Sequence, residues 1–263
     1  MKFYYIFLIL CLSFGCVNAQ FFYSALSPKF EEYKPYKGLK KCEKYKLIGN
    51  KDSKPEYLMQ VWEYNKYGQP KLDVLFIETM DTVQKTSYVY DKNNRLIRSL
   101  EYAPDYSLEE VPTEYSYNSK GLLEMSKTIN LDPTFVTYSY DANGSIKESK
   151  SYQLVPAYDE NGNESEVIQY DIYKKDFKVD QNGRVTECNL ISLSLNHDFS
   201  STSLYTYNQK GQVVNFKILD KDAKVKHDET FSFDKSGKVK TSIVNEIDLK
   251  GIYNTTYYIY KYK

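Results

Sequence analysis

The stretch Tyr138-Ser139-Tyr140-Asp141-Ala142-Asn143-Gly144-Ser145-Ile146 decides how this chain is read. Two aromatic residues separated by one position share a face of a β-strand, and the serine between them faces the other way. Asp141 follows with a side-chain oxygen that can accept bonds from the backbone just ahead of it. Gly144 supplies the positive φ that closes a tight hairpin. Ile146 then opens a return strand. The phrase is therefore one β-hairpin: aromatic strand, Asx-initiated turn, aliphatic strand.

The same phrase recurs along the chain. It reads Trp62-Glu63-Tyr64-Asn65 with Gly68, and Tyr88-Val89-Tyr90-Asp91 with Asn94 and Leu96. Next are Tyr115-Ser116-Tyr117-Asn118 with Gly121 and Leu123, and the opening copy itself. Phe177-Lys178-Val179-Asp180 with Gly183 and Val185 is weaker at its second aromatic. Tyr205-Thr206-Tyr207-Asn208 with Gly211 and Val213, and Phe231-Ser232-Phe233-Asp234 with Gly237 and Val239, complete seven copies. Asn94 stands where the others have Gly, and Asn is the residue that best tolerates left-handed backbone. Asn94, Gly121, Gly144, Gly183, Gly211 and Gly237 are thus the structural turn positions, each expected at positive φ. The one long step, from Asp141 to Asp180, is accounted for by two long strands, 166–179 and 184–196, with a further turn at Asp159–Gly162.

Ahead of the first copy, 42–47 and 57–64 read as two more strands, and Tyr257-Tyr258-Ile259-Tyr260-Lys261-Tyr262 echoes the phrase without its turn. The expectation is an all-β fold: an antiparallel meander of repeated β-hairpins, about sixteen strands, as a curled or wound single sheet. The pattern leaves open whether that sheet is open, two-layered or closed. Residues 1–19 form one segment, 20–41 a lead-in with a helical turn expected near Ser27-Pro28, and 42–263 the hairpin-repeat domain. The aromatic face should be the buried one, with Val89, Ser116, Ser139 and Thr206 on the other. If that order were reversed, Trp62, Tyr115, Tyr138 and Tyr205 would be the binding aromatics, since exposed Tyr and Trp can stack on sugars or anchor a protein.

Lys2, the apolar run 3–12 and Val17-Asn18-Ala19 read as a signal peptide cut after Ala19. That run is too short for a helical membrane span. Cleavage before Cys16 as a lipoprotein is the competing reading, but Ser13-Phe14-Gly15 lacks the usual Leu or Val three residues ahead. An exported protein with Cys42 and Cys188 could carry one disulfide; sequence cannot bring their Cα atoms within range, and two packed thiols are the plainer expectation.

Lys+Arg and Asp+Glu are both 35, so the formal net charge is +0 and no basic nucleic-acid surface is expected. Tyr numbers 28 against 2 His, which favours strands and disfavours His-based metal or catalytic centres. His197-Asp198 and His227-Asp228 come without a Gly-x-Ser-x-Gly elbow, so no hydrolase triad is expected. The stretch 159–170 has Asp159, Asn161 and Asn163 at alternate places, but Gly162 and Tyr170 stand where a calcium loop needs other residues. No metal or cofactor is expected. An outer-membrane barrel is the rival all-β reading; Lys127, Glu148, Lys150 and Lys217 within the strands weigh against a lipid-facing band.

The Tyr-Asp-turn-Gly phrase, most closely Tyr138 to Gly144 and then Tyr90-Asp91, resembles the YD repeat of the rearrangement-hotspot family over roughly residues 60–240. The resemblance implies hairpins joined into a strip-like sheet that winds into a shell, in proteins of bacterial surfaces that are often assumed to bind carbohydrate or protein. Seven hairpins are too few to encapsulate an enzyme, so that role is not carried over. The expected function is a non-catalytic scaffold or binding module for carbohydrate or a surface protein at the cell envelope. The alternative is a glycan-active enzyme with two carboxylates on the sheet.

Overall fold

The computed structural model describes residues 37–49, 52, 54–78, 81–104, 109–130, 133–158, 164–193, 200–247 and 252–263. The expected leader, most of the lead-in with its Ser27-Pro28 turn, the Asp159–Gly162 turn and His197-Asp198 lie outside these residues. Sixteen strands occupy the described part: β1 Lys41–Leu47, β2 Pro55–Tyr64, β3 Pro70–Phe76, β4 Thr82–Tyr90, β5 Leu96–Tyr102, β6 Val111–Tyr117, β7 Leu123–Thr128 and β8 Thr134–Tyr140. There follow β9 Ile146–Tyr158, β10 Glu164–Val179, β11 Val185–Ser192, β12 Ser201–Tyr207, β13 Val213–Asp220, β14 Val225–Phe233, β15 Val239–Ile247 and β16 Tyr253–Tyr262. Each strand pairs antiparallel with its sequence neighbours, and β1 pairs with β16, so the sheet is a closed barrel. Of the arrangements the sequence left open, closure is the one adopted. The second long strand ends at Ser192, and residues 194–196 of the expected one lie outside the described residues.

The repeat phrase explains the closure. In every copy the turn Asx accepts backbone bonds at Oδ1 from the residues two and four places on, as Asp141 does from Asn143 (2.9 Å) and Ser145 (2.8 Å). The fourth residue lies at positive φ: 61° at Asn94, and 75–86° at Gly68, Gly121, Gly144, Gly183, Gly211 and Gly237. Each copy also shifts register immediately before its turn, between Ser116 and Tyr117, Ser139 and Tyr140, Thr206 and Tyr207, and at the matching place in the others. A bulge bends and coils a sheet. Seven at one repeat position bend it seven times in one sense, which is what a closing sheet requires.

Burial alternates along the strands and identifies the inner wall. In β14, His227, Glu229 and Phe231 are buried while Lys226, Thr230 and Ser232 are exposed. The paired aromatics, Tyr88 with Tyr90, Tyr115 with Tyr117, Tyr138 with Tyr140 and Tyr205 with Tyr207, lie on the inner, half-buried side; Val89, Ser116, Ser139 and Thr206 are exposed. The post-turn aliphatics Leu96, Leu123, Ile146, Val185, Val213 and Val239 are all buried and form the apolar turn end of the barrel. Above them the first aromatic of one hairpin meets a small residue of the preceding one. Tyr115 Oη lies 3.1 Å from Ser99 Oγ, Tyr138 Oη 3.4 Å from Ser126 Oγ, and Tyr260 Oη 3.3 Å from Ser242 Oγ. Large beside small lets neighbouring side chains interdigitate without voids.

The second aromatic ties each hairpin to the one before. Tyr90, Tyr117, Tyr140 and Tyr207 donate their hydroxyls to the main-chain carbonyls of Pro70, Leu96, Leu123 and Val185 at 2.7–2.8 Å. Basic residues just past the turns, Arg95 and Arg184, lie over the rings of Tyr117 and Tyr207 while clamping their own Asp91 and Asp180.

The same bonds identify an eighth copy split between the chain ends. Tyr262 donates to Val239 O (2.8 Å), so β16 is an aromatic strand of the repeat. Lys263 N–H donates to Lys41 O (3.0 Å), as Asn118 N–H does to Leu122 O in an intact hairpin. Cys42 thereby takes the place of Leu123, opposite Tyr262. The thiol is hydrogen-bonded to Tyr262 and Tyr64, and burial pushes it up to about 12. Glu43 fastens this seam on the outside, accepting from Lys263 Nζ (3.0 Å) and Tyr45 (3.0 Å), with Lys41 Nζ at 2.8 Å. Cys42 and Cys188 are both buried and form no disulfide.

Several charges on the outer wall are paired across strands. Lys174 lies 2.9 Å from Glu148, Lys178 2.7 Å from Glu187, and Lys217 3.2 Å from Asp228. Lys127 and Lys150 face outward too, by register with Glu114 and Thr137.

Candidate binding site on the inner wall

Aligned on the post-turn aliphatic, the repeat keeps a mostly small or apolar inward residue three places on: Ser99, Ser126, Ser149, Cys188, Phe216 and Ser242. In the first copy that residue is Asp73, which is buried. Five places on come Leu75, Thr128, Ser151, Leu190, Ile218 and Val244; in the second copy the residue is Glu101. The two acids that break the pattern stand side by side. Asp73 is the Cα partner of Thr86, and Thr86 is the Cα partner of Glu101, so one row crosses β3, β4 and β5. Two strand spacings put the outer members about 9–10 Å apart.

Amides hold both carboxyls. Gln60 Nε2 donates to Asp73 Oδ1 (2.9 Å) and Oδ2 (3.1 Å). Gln84 is hydrogen-bonded to Glu101, whose pKa burial nonetheless raises. Glu101 is itself exposed, on the inner wall by its register with Thr86. Tyr88 stands beside the row, its phenol pushed well up by burial and then by Asp73. Trp62, the Cα partner of Asp73, is 1% exposed and stacked on Tyr260, with ring centroids 6.2 Å apart. Its indole N–H is buried without an acceptor.

A second polar group lies across the seam. Lys44 Nζ is 4.0 Å from Glu229 Oε1 and 4.0 Å from the centroid of the Tyr258 ring. His227 Nδ1 is 2.7 Å from Glu246, and its Nε2 is 3.6 Å from Glu229. Burial alone would lower the His227 pKa, but the two carboxylates outweigh it and bring it up to about 9. These charges compensate one another within the wall, so they act as a structural set. No group of three or more His, Cys, Asp or Glu among the described residues has the arrangement of a metal site.

The aromatics singled out from sequence all face inward. Trp62 is in the core, Tyr115 and Tyr138 are half-buried and bonded to Ser99 and Ser126, and Tyr205 packs on Phe216 at 5.1 Å. None forms an outer row. The turn positions Asn94, Gly121, Gly144, Gly183, Gly211 and Gly237 sit together at the apolar end, away from the acid row. Sequence reasoning missed Asp73 and Glu101, which only an alignment of the return strands brings out.

No family model matches the chain, and no curated protein does. Among solved structures, a porin-like protein from Bacteroides uniformis matches 87% of this chain over 99% of its own length, at 11% identity and TM-score 0.49. The TcdB2–TccC3 structure matches 80% of this chain over 12% of its own length, at 13% identity and TM-score 0.32. A protein of unknown function from Bacteroides fragilis matches 65% of this chain, at 10% identity and TM-score 0.17.

Proposed function

We propose that this chain is an exported, non-catalytic barrel of the YD-repeat type that serves as a binding module at the cell envelope, with its ligand on the inner wall. Residues 1–19, with their Lys, apolar run and small-residue end, support export. The observation that carries the reading is the distribution of polar groups. Outer-wall strands carry charges such as Lys174, Glu148, Lys178, Glu187, Lys217 and Asp228, paired across strands, which interrupt any lipid-facing band. On the inner wall the repeat is interrupted by Asp73 and Glu101. Departures from a locally consistent pattern concentrate at functional sites. Aromatic walls with a few convergent polar groups suit a carbohydrate better than a broad protein face.

A second reading, a glycan-active enzyme, is favoured by one feature: two acids on the same face of the sheet whose Cα atoms are about 9–10 Å apart by strand spacing, and paired carboxylates are what glycosidases use. One experiment addresses both. The mature chain is screened against a glycan panel and against purified envelope proteins, with Trp62 fluorescence as the reader, because it is the chain's 1 Trp. Saturable binding of an intact glycan supports the module. Release of reducing ends transfers the conclusion to the enzyme, and binding only of proteins to the outer wall removes the inner-wall reading.

A further inference from the structure

Closure of the meander puts all the repeat turns, with the split eighth hairpin, at one end of the barrel. Five of these turns hold an exposed lysine one or two residues after the Asx: Lys66, Lys92, Lys120, Lys210 and Lys235. None of the five forms an ion pair with a described residue, whereas Lys174, Lys178 and Lys217 on the outer wall are paired. The turn caps do not neutralise them. Asn65, Asn118 and Asn208 cap without charge, Asp91 is held by Arg95 at 2.7 Å, and Asp234 has Lys238 four residues on. Each of the five turns therefore carries one net positive charge. The two turns without a lysine, at Asp141 and Asp180, are neighbours in the barrel, so the five lysines and the exposed Lys37 and Lys40 of the seam make one unbroken arc. In the loops of the opposite end acids outnumber bases, so a chain of formal net charge +0 is electrically polar from end to end.

We propose that the turn end docks on an anionic lipid surface through this arc. The lysines sit at equivalent places of the repeat, so they reach one level, and hairpins two strands apart space them by about 10 Å. At that spacing they cannot converge on one compact anion. It is close to the screening length of about 8–10 Å in 0.1–0.15 M salt, so each lysine meets headgroups of its own and the set adds up, at about five-fold in partitioning per lysine. Tyr67, 44% exposed with Lys66 Nζ 4.9 Å from its ring centroid, adds an amphipathic ring of the kind that settles at headgroup level. The chain also enters the barrel here. Residues 1–36, with the apolar run 3–12, join it at Lys37 on this end, so whatever holds them at a membrane brings the arc to the same surface. The face is separate from the inner wall, and either fails or stands without the other.

The test removes charge from the tips and leaves every turn cap in place. Lys66→Gln, Lys120→Gln and Lys210→Gln together are compared with the outer-wall set Lys127→Gln, Lys150→Gln and Lys217→Gln, which loses the same charge. Co-sedimentation of the mature chain uses vesicles of phosphatidylcholine, alone or mixed with phosphatidylglycerol. The parent should bind the anionic vesicles only, and binding should vanish between about 0.1 M and about 1 M salt, as the screening length falls from about 10 Å to about 3 Å. The tip variant, with an unchanged far-UV spectrum, should bind at least ~ten-fold more weakly, and the outer-wall variant within about two-fold of the parent. Lys66→Gln alone should lose about five-fold and keeps the test decisive if the triple variant unfolds. Equal weakening in the two sets overturns the docking face, as does equal binding to neutral vesicles or no vesicle binding by the parent. Capture of soluble polyphosphate without vesicle binding also overturns it and assigns the arc to a polymer.

Discussion

Tyr262 and Val239, 23 residues apart in sequence, are joined by a 2.8 Å hydrogen bond from the phenol to the main-chain carbonyl. Tyr207 makes the same bond to Val185, Tyr140 to Leu123, Tyr117 to Leu96 and Tyr90 to Pro70. The bond is therefore a property of the repeat, and its presence at the C-terminus marks β16 as half of a hairpin completed by β1. A barrel of eight hairpins has no free sheet edge, and an exposed edge is what an open meander of Tyr-rich strands would offer to aggregation.

These rungs set the first expectation. Tyr117→Phe and Tyr140→Phe each remove a donor from a part-buried carbonyl, and each should cost about 1–2 kcal/mol in urea unfolding. Val179 and Phe233 occupy the same repeat position without a hydroxyl. Phe233→Tyr should add the missing rung toward Val213 and gain about 0.5–1 kcal/mol. A neutral result at Tyr117 and Tyr140 together would remove the rung from the account.

Turn geometry gives the second. Gly144 has φ 81°, and a Cβ added there would meet only Leu122 Cδ1, at 3.9 Å, so space is not limiting and backbone strain is. Gly144→Val should destabilise by at least ~1 kcal/mol. The turn between β13 and β14 is built the same way, from Asp220 to Lys224, but holds Ala223 at φ 59°. Ala223→Gly relieves that strain and should stabilise by about 0.5–1 kcal/mol. Equilibrium unfolding of the two variants should move in opposite directions.

The third concerns pH. His227 is raised from 6.5 to about 9 by Glu229 and Glu246, against the opposing effect of burial. A folded-state value above the unfolded one means that the stabilisation is complete below pH 6.5 and is lost as pH rises from there through 9. Allowing for the half-exposed Glu246, the loss should be on the order of 2 kcal/mol. Unfolding midpoints at about pH 6, 7.5 and 9.5 should fall in that order, and His227→Gln should flatten the His-dependent part of the slope. An equal slope in the variant would assign the pH dependence elsewhere.

The hairpin was legible because its information is local. Asx at one position and Gly or Asn three residues on dictate a turn whatever surrounds it, and Tyr-x-Tyr dictates which face is aromatic. Closure was not legible, because the eighth hairpin is divided between Cys42 and Tyr262 and no contiguous stretch contains it. The acid row was missed for a related reason. Asp73 and Glu101 look like ordinary strand carboxylates until their copies are superimposed on the post-turn aliphatic. Only pairing across β3, β4 and β5 then makes them neighbours. β11 ends at Ser192, with Leu193 already outside the strand, which shows the weaker hold of composition on strand ends away from the turns.

The closed barrel with a split eighth hairpin is tested most directly at the Cys42–Tyr262 pair. Lys41 and Lys263 exchange backbone hydrogen bonds, so Cys42 and Tyr262 form the adjacent non-hydrogen-bonded pair, whose Cα atoms approach to about 4.5 Å. Tyr262→Cys in a Cys188→Ser background should therefore give an intramolecular disulfide under mild oxidation. It should appear in folded monomer, be absent in urea, and be located by mass spectrometry as a peptide joining residues 42 and 262. Two free thiols, or cross-linking only between molecules, would show that β1 and β16 are open edges and would contradict the account.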